Sequence, residues 1–338
     1  MSTRVAINGF GRIGRNVLRA LYEAQRNKQI ELVAINDIES LETSAHLLKY
    51  DSVHGRFAFD VAIDEQSLMV AGDRITYLSE ANPVKLPWQA LAIDVVLECT
   101  GKFTQAEPAY MHCLAGAKKV LISAPSDEKV DATIVYGVNH ADLKATHRVV
   151  SNASCTSNCL APVAKVLQET VGIEHGLGTV IHAYTNDQQL TDSHHPDLRR
   201  ARAAGLSIIP TPTQSLKAVE IVLPELHGKI DGSAIRVPTV NVALIDFTFT
   251  ASRATSVEEI NAAMSKAASG ELKGILNVSH ELLVSIDFNH CAASCSIDTN
   301  QTMVQQGTFV KVQAWYDNEW GFSNRLLDTA SAMMTCQT

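Results

Sequence analysis

"INGFGRIG", residues 7–14, is the stretch on which the fold turns. It closes a short apolar run, "RVAING" (4–9), and opens a segment in which Ile13, Val17, Leu18, Leu21 and Tyr22 fall on one helical face. Gly9, Gly11 and Gly14 therefore stand, in G-x-G-x-x-G spacing, where a strand passes into a helix. In such a turn the first glycine permits the tight bend, the second lets the backbone approach a pyrophosphate, and the third lets helix and strand pack closely. The phosphates rest on unpaired amides at the helix start. Three glycines alone can be no more than a turn, but a further residue agrees with them. Asp37 ends the next apolar run, "ELVAIND" (31–37), 23 residues beyond Gly14. A carboxylate there accepts hydrogen bonds from ribose hydroxyls and repels a 2′-phosphate, so the cofactor expected is NAD and not NADP.

Outward from this motif the first half continues as short apolar runs closed by turn residues, at 93–101, 118–125 and 148–154. Such runs are what parallel strands covered on both faces look like, and their spacing is that of βαβ units. Between them residues 59–78 alternate apolar and polar, as hairpin strands do. Past residue 155 the pattern changes to longer strands at 178–185, 234–252 and 308–318, with helices only near 214–222 and 256–268. The fold class expected is an α/β Rossmann domain with a parallel sheet, residues 1–154, followed by an α+β catalytic domain with a mostly antiparallel sheet, residues 155–318. A last helix at 324–334 could pack on either half.

Composition narrows the function. With 338 residues, 46% hydrophobic and 19% charged, the chain has the makeup of a soluble two-domain protein. No apolar run reaches the roughly 18 residues of a membrane span, and "MSTRVAING" has no signal-peptide architecture, so neither a membrane nor export is expected and the location expected is cytoplasmic. A net charge of −8 argues against a nucleic-acid surface while leaving room for a small anion held by local cations. Seven cysteines fit reduced thiols better than a disulfide framework.

One of those thiols stands out. "SNASCTSNCLAPVAKVLQ" (151–168) ends a strand and starts a helix at Cys155, with Ser154 and Thr156 beside it. A thiolate at a helix N-terminus is stabilised by the positive end of the dipole, which lowers its pKa. Most cysteines are inert packing, and Cys159, one turn on beside Leu160 and Val163, reads that way. The C-x-x-x-C spacing of Cys155/Cys159, repeated at Cys291/Cys295, is not a usual zinc pattern, so no metal is expected. A nucleophilic cysteine needs a base. His182, in a strand running into a long polar loop, is the best-placed candidate, while His194 and His195 read as loop residues.

These residues together resemble one family closely. "INGFGRIG", "AIND", "LLKYDSVHGRF", "SNASCTSNCLAP", "HAYTNDQ", "DLRRARAA", "SIIP", "RVPTVNV" and "WYDNEWG" look like the phosphorylating glyceraldehyde-3-phosphate dehydrogenase family, from residue 3 to about 332. The resemblance implies a homotetramer and a C-terminal helix, about 319–338, that returns to the cofactor domain. It implies that Cys155 attacks the aldehyde of a small phosphorylated substrate while His182 takes its proton, and that hydride passes to NAD and leaves a thioester. Arg12, Ile13, Thr100, Ser123 and Asn318 match further cofactor contacts. Thr185, Asp187 and Arg236 match the pocket for the substrate's phosphate. Ser154, Thr156, Thr213 and Arg200 match the site of the attacking inorganic phosphate.

The chain departs from the family pattern at this second phosphate site. After "SIIP" it reads "TQSLKAV", with Gln214 where phosphate-using members usually have glycine, and a glutamine side chain can crowd an anion. "HHPDLRR", "SIDFNH", "DNEWGFSNR" and "DATIVYGVN" resemble the erythrose-4-phosphate dehydrogenase branch, whereas "YTNDQ" and "KAVEIVLPEL" lean to ordinary glyceraldehyde-3-phosphate dehydrogenases. The expectation from these motifs is oxidation of erythrose 4-phosphate to 4-phosphoerythronate, with water resolving the thioester, as a step towards pyridoxal phosphate. The alternative is phosphorylating glyceraldehyde-3-phosphate dehydrogenase. A catalytically inactive NAD-binding regulator is the remote alternative, and an acyl-transfer thiol enzyme without NAD is disfavoured by the glycines and Asp37.

Overall fold

The structure, a computed structural model, describes residues 2–336. The chain divides into two units, one running to Ser154 and resuming at Ser323, the other Cys155–Phe322.

In the first unit β1 (Thr3–Asn8), α1 (Arg12–Glu23), β2 (Ile30–Asn36) and α2 (Leu41–Lys49) follow in order, then a two-residue hairpin of β3 (Tyr50–Asp51) and β4 (Gly55–Arg56). Next come β5 (Val61–Asp64), β6 (Ser67–Val70), β7 (Asp73–Leu78), β8 (Val95–Glu98), α3 (Ala106–Leu114), β9 (Lys119–Ile122), β10 (Ala132–Thr133) and β11 (Val149–Ser151). The sheet runs β10-β11-β9-β8-β1-β2-β7-β6-β5. It is parallel from β10 to β7, and the hairpin expected at 59–78 supplies its antiparallel edge. The central strands are covered on both faces. Ala6, Ile7, Ala34, Ile35, Val96 and Leu97 are all fully buried, which is why these runs read as continuously apolar. Because β1 pairs with β2 on one side and β8 on the other, connections leave it in opposite directions, and a crevice opens at the carboxyl ends of these three strands. Helix α2 was not legible in the sequence; Ser40 caps it, its hydroxyl accepting from the Thr43 amide at 3.1 Å.

The second unit begins with α4 (Cys155–Val171), β12 (Ile173–Ala183), β13 (Ile209–Thr211), α5 (Ser215–Val222), β14 (Ile230–Val237), β15 (Ala243–Ala251) and α6 (Val257–Ser269). It continues with β16 (Leu276–Ser279), β17 (Cys295–Asp298), β18 (Met303–Gln305) and β19 (Phe309–Tyr316), and α7 (Trp320–Thr335) starts here and ends in the first unit. The strand order is β13-β14-β12-β15-β19-β17-β16, with β18 beside β19. Most pairs are antiparallel, but β12–β14 and β16–β17 are parallel. Along β15 alternate residues are buried, Phe247 and Phe249 among them, as expected of a sheet with one face packed on helices. Residues 337 and 338 of the expected final helix lie outside the described residues. Among the described residues no helix is long and apolar enough to cross a membrane.

Candidate active site

Two constellations carry chemistry, one in each unit. In the first, the crevice at the ends of β1, β2 and β8 has a volume of about 270 Å³, and Asn8, Gly9, Gly11, Asp37 and Thr100 are among the residues lining it. The glycines are there for space. Gly9 has φ +92°, and a Cβ on it would lie 2.6 Å from the Thr100 amide nitrogen, while a Cβ on Gly14 would lie 2.2 Å from the Gly9 carbonyl oxygen. A Cβ on Gly11 would meet nothing, so the backbone there faces open space. Gly11 is also the N-cap of α1 and makes no side-chain cap, which leaves the helix's first amides for an anion. Asp37 accepts from the Phe10 amide at 2.5 Å and from the Glu39 amide at 2.9 Å, bracing the glycine turn from the tip of β2. An uncapped helix start, an open glycine and an acid at the second strand's end fit the pyrophosphate and ribose of a dinucleotide.

Arg12, Ile13, Gly14 and Ser123 are not among the residues that line this crevice. Gly14 is taken up by packing against Gly9, and Arg12 is turned towards Asp51, its Nη1 2.5 Å from the carboxylate. Burial would raise the Asp51 carboxyl, but Arg12 and the amides of His54 and Val53 hold it at about 2. Cys99, beside Thr100, is pushed up to about 12 by burial and by the charge of Glu98.

In the second unit α4 opens at Cys155. The chain reaches it through Ala153, a non-glycine residue at φ +55°, whose amide donates to the Ser151 hydroxyl at 3.1 Å. This left-handed residue ends β11 abruptly and starts the helix two positions later. Cys155 Sγ lies 3.7 Å from His182 Nε2. His182 is on β12, opposite Arg236 in the parallel ladder with β14, so sheet register sets the imidazole beside the guanidinium. The Ala183 carbonyl oxygen lies 2.6 Å from His182 Nδ1 and accepts from Arg236 Nη1 at 2.8 Å. Arg236 Nη1 is also 2.7 Å from Nδ1. A guanidinium only donates and a carbonyl only accepts, so no single ring proton satisfies all three contacts: a proton on Nδ1 serves Ala183 but opposes an Arg236 N–H at 2.7 Å. In the tautomer that a base facing Cys155 requires, Nδ1–H donates to Ala183, Arg236 donates to the same oxygen, and the Nε2 lone pair faces the thiol.

The surroundings keep the ring neutral. Burial, then the Arg236 charge, lowers His182 to about 4 against the pull of the Ala183 carbonyl, so the ring is a neutral base at pH 7. Burial pushes the Cys155 thiol up, which corrects the expectation that its helix start lowers it. Arg236, the Thr156 hydroxyl and the first amides of α4 act in the expected direction but are outweighed. The pair is therefore a thiol and an imidazole in the ligand-free protein, poised for proton transfer. Part of Cys155 remains open to solvent, unlike Cys159, which is fully buried.

The anion candidates are arranged differently from their expected grouping. Arg200 and Asp187, matched to separate sites, form an ion pair at 2.5 Å, and Arg200 also donates twice to the Thr211 hydroxyl, at 2.8 and 2.6 Å. The exposed Asp187 carboxyl is lowered by Arg200 and His195, which outweigh its partial desolvation. Arg236 keeps a buried Nε with no hydrogen-bond partner. Thr185 is half-buried, and its carbonyl accepts from the Gln188 amide. The Thr213 hydroxyl accepts from the Ser215 amide at the start of α5. Gln214 is exposed with φ −100°, a conformation that requires no glycine. Ser154 is half-buried directly before Cys155. The Thr156 hydroxyl is 2.8 Å from the Tyr316 hydroxyl, so it is already engaged. Asn318 is buried with an unpartnered Oδ1, an acceptor available to a ligand's N–H.

Tyr316 escaped the sequence reading. Its ring meets His182 edge-on at 6.1 Å, and burial raises its phenol well above the usual value. The only signal for it was its place two residues before Asn318. Among the described residues no cluster of His, Cys, Asp or Glu is placed to hold a metal ion.

Comparison with known proteins places this arrangement. The family model described as "Glyceraldehyde 3-phosphate dehydrogenase, NAD binding domain" matches residues 3–106, and that described as "Glyceraldehyde 3-phosphate dehydrogenase, C-terminal domain" matches 154–318. The chain is 59% identical to the chromosomal glyceraldehyde-3-phosphate dehydrogenase of Cupriavidus necator, covering 98% of this chain and 99% of that protein. It is 57% identical to the glyceraldehyde-3-phosphate dehydrogenase of Pseudomonas aeruginosa and 54% to glyceraldehyde-3-phosphate dehydrogenase 1 of Bacillus cereus, each covering 98% of both chains.

Proposed function

Because the chain belongs to the glyceraldehyde-3-phosphate dehydrogenase family of NAD-dependent oxidoreductases acting on sugar-phosphate aldehydes, we propose that its substrate is glyceraldehyde 3-phosphate and that inorganic phosphate releases the acyl group. The observation that carries this reading is the name shared by relatives 54–59% identical over nearly the whole chain. The motifs that favoured erythrose 4-phosphate weigh less than their number suggested. Two of them are a single packing unit: His290 of "SIDFNH" stacks on Trp320 of "DNEWGFSNR" at 3.6 Å, and its amide donates to Asp317 at 2.7 Å. In "DATIVYGVN", Asn139 holds a turn, accepting from the Val135 amide and donating to the Thr133 carbonyl. These contacts are structural. Gln214, exposed and in ordinary backbone geometry, leaves the second anion site compatible with phosphate.

In this mechanism His182 Nε2 takes the Cys155 proton, and the thiolate forms a C–S bond to the aldehyde carbon. The resulting alkoxide, met by the amides at the start of α4, takes the Nε2 proton back from the imidazolium and becomes the hydroxyl of a thiohemiacetal, which leaves His182 neutral again. His182 then receives the hydroxyl proton as the carbon gives up hydride; bound NAD supplies the two-electron acceptor. Arg236 and Arg200 supply cationic donors for the two phosphates, Arg200 by exchanging its bonds to Thr211 and Asp187 for the anion, and the Ala183 carbonyl orients the imidazole through Nδ1. The test is NADH formation from glyceraldehyde 3-phosphate and from erythrose 4-phosphate, side by side, with and without inorganic phosphate. A preference for erythrose 4-phosphate with no phosphate requirement overturns the proposal. The homotetramer is part of the same proposal, and sedimentation at working concentration checks it.

A further inference from the structure

Beneath the crevice of the first unit lies a buried polar chain that the reaction does not use. Glu98 ends β8 with 1% of its surface exposed, and it has no cationic partner among its hydrogen bonds. One carboxylate oxygen accepts from the Thr100 amide at 2.8 Å and from the Thr100 hydroxyl. The other accepts from Asn8 Nδ2 at 2.6 Å and lies 3.0 Å from His112 Nε2. On the far side of that ring the Trp88 indole nitrogen is 2.9 Å from His112 Nδ1. Trp88 and His112 are fully buried.

The indole N–H can only donate, so Nδ1 must accept and the ring proton must sit on Nε2, aimed at Glu98. An imidazolium is ruled out by the same contact, since it would oppose two N–H groups at 2.9 Å. Asn8 Nδ2, 3.4 Å from Nε2, faces another donor and is a neighbour rather than a partner. The Thr100 amide, the Asn8 amide group and the imidazole thus each point a hydrogen at Glu98, and of its partners only the Thr100 hydroxyl has a lone pair to offer. The chain reaches the crevice at two points. Thr100 lines it, and Asn8, which also lines it, accepts from Asn36, whose side chain pairs with the backbone of Glu80 on the opposite wall.

We propose that His112 is a positioning residue for NAD: locked by Trp88 as the neutral Nε2–H tautomer, it completes the donor set of Glu98 and so fixes Thr100 and Asn8 at the wall of the cofactor crevice. The inference rests on NAD binding by this domain and is independent of which aldehyde is oxidised. A rigid wall reduces the ordering cost that binding must meet, so the effect is read in cofactor affinity.

The test is a calorimetric titration of the full-length protein with NAD alone. In His112→Gln the amide oxygen and nitrogen are spaced as the two ring nitrogens are, so the glutamine accepts from Trp88 and donates to Glu98; its NAD Kd should stay within about threefold of the wild type. In His112→Leu both partners lose their hydrogen bond, and the Kd should rise about tenfold, the equivalent of one unsatisfied buried group. Both variants disturb the ring's packing, so thermal unfolding is followed alongside. Equal Kd increases in the two variants, or wild-type affinity in His112→Leu, overturn the proposal. Should His112→Leu not fold, the ring ¹⁵N spectrum of the wild-type protein at pH 7, with His112 assigned by comparison with His112→Gln, decides. A neutral ring protonated on Nε2 supports the proposal, and an Nδ1–H or doubly protonated ring overturns it.

Discussion

His182 and Arg236 sit opposite one another in the parallel ladder of β12 and β14 and share one acceptor, the carbonyl oxygen of Ala183. A base is thereby held next to a fixed positive charge, which keeps it unprotonated but also weakens it.

Arg236→Gln removes that charge and should raise the His182 pKa from about 4 towards its ordinary value, because a cation disfavours the imidazolium. The acid limb of the kcat/KM profile should move to higher pH, and KM for the phosphorylated aldehyde should rise about tenfold or more with loss of the cationic donor. A profile that does not shift would separate Arg236 from the base.

His182 should also make stability depend on pH. Its folded pKa of about 4 lies below the ordinary 6.5, so the unfolded chain takes up this proton first as pH falls. The contribution is complete above pH 6.5 and is lost on acidification towards 4, by at most about 3 kcal/mol. Urea denaturation at pH 7 and 4.5 should show a smaller loss in His182→Gln than in the wild type.

Cys155→Ser should lower hydride transfer on the order of a thousandfold or more, whereas Cys159→Ser, far from solvent, should keep most turnover and lose roughly 1–3 kcal/mol of stability for its buried hydroxyl. Pre-steady-state NADH bursts measure the first, thermal unfolding the second. Equal catalytic losses would contradict the division between nucleophile and packing.

Asp37→Ala takes away both the ribose acceptor and the brace on the Phe10 amide. NAD affinity should fall about tenfold, and discrimination against NADP should shrink as the repelling charge disappears. Titration with the two cofactors reads both effects.

The elements that were legible in the sequence are those whose signal is local. The glycine triplet, Asp37 at the end of its strand, and Cys155 at the start of a helix each declare themselves within a few residues, and His182 could be named from its place in a strand that runs into a polar loop. What could not be read are contacts set by register and packing between distant residues: Thr156 with Tyr316, Asp187 with Arg200, and Trp88 through His112 to Glu98. The thiol's direction of shift was misjudged for a related reason, since a helix start is visible in sequence and the burial that outweighs it is not. The branch markers carry less weight than their number because residues packed on one another, such as His290 and Trp320, are a single feature of the fold.

The cofactor unit is closed by residues from the far end of the chain. Arg26 pairs with Asp328 at 2.7 Å, Thr329 donates to Asn152 at 2.7 Å, and Lys119 donates to the Met333 carbonyl at 2.6 Å. A ribosome making this protein must therefore finish the intervening Cys155–Phe322 unit before the nucleotide-binding fold can be sealed. Until then the nascent first half carries Lys119 without its carbonyl and Asn152 without its hydroxyl, so vectorial synthesis leaves an early intermediate whose last fastening waits for residues 328–333 to emerge.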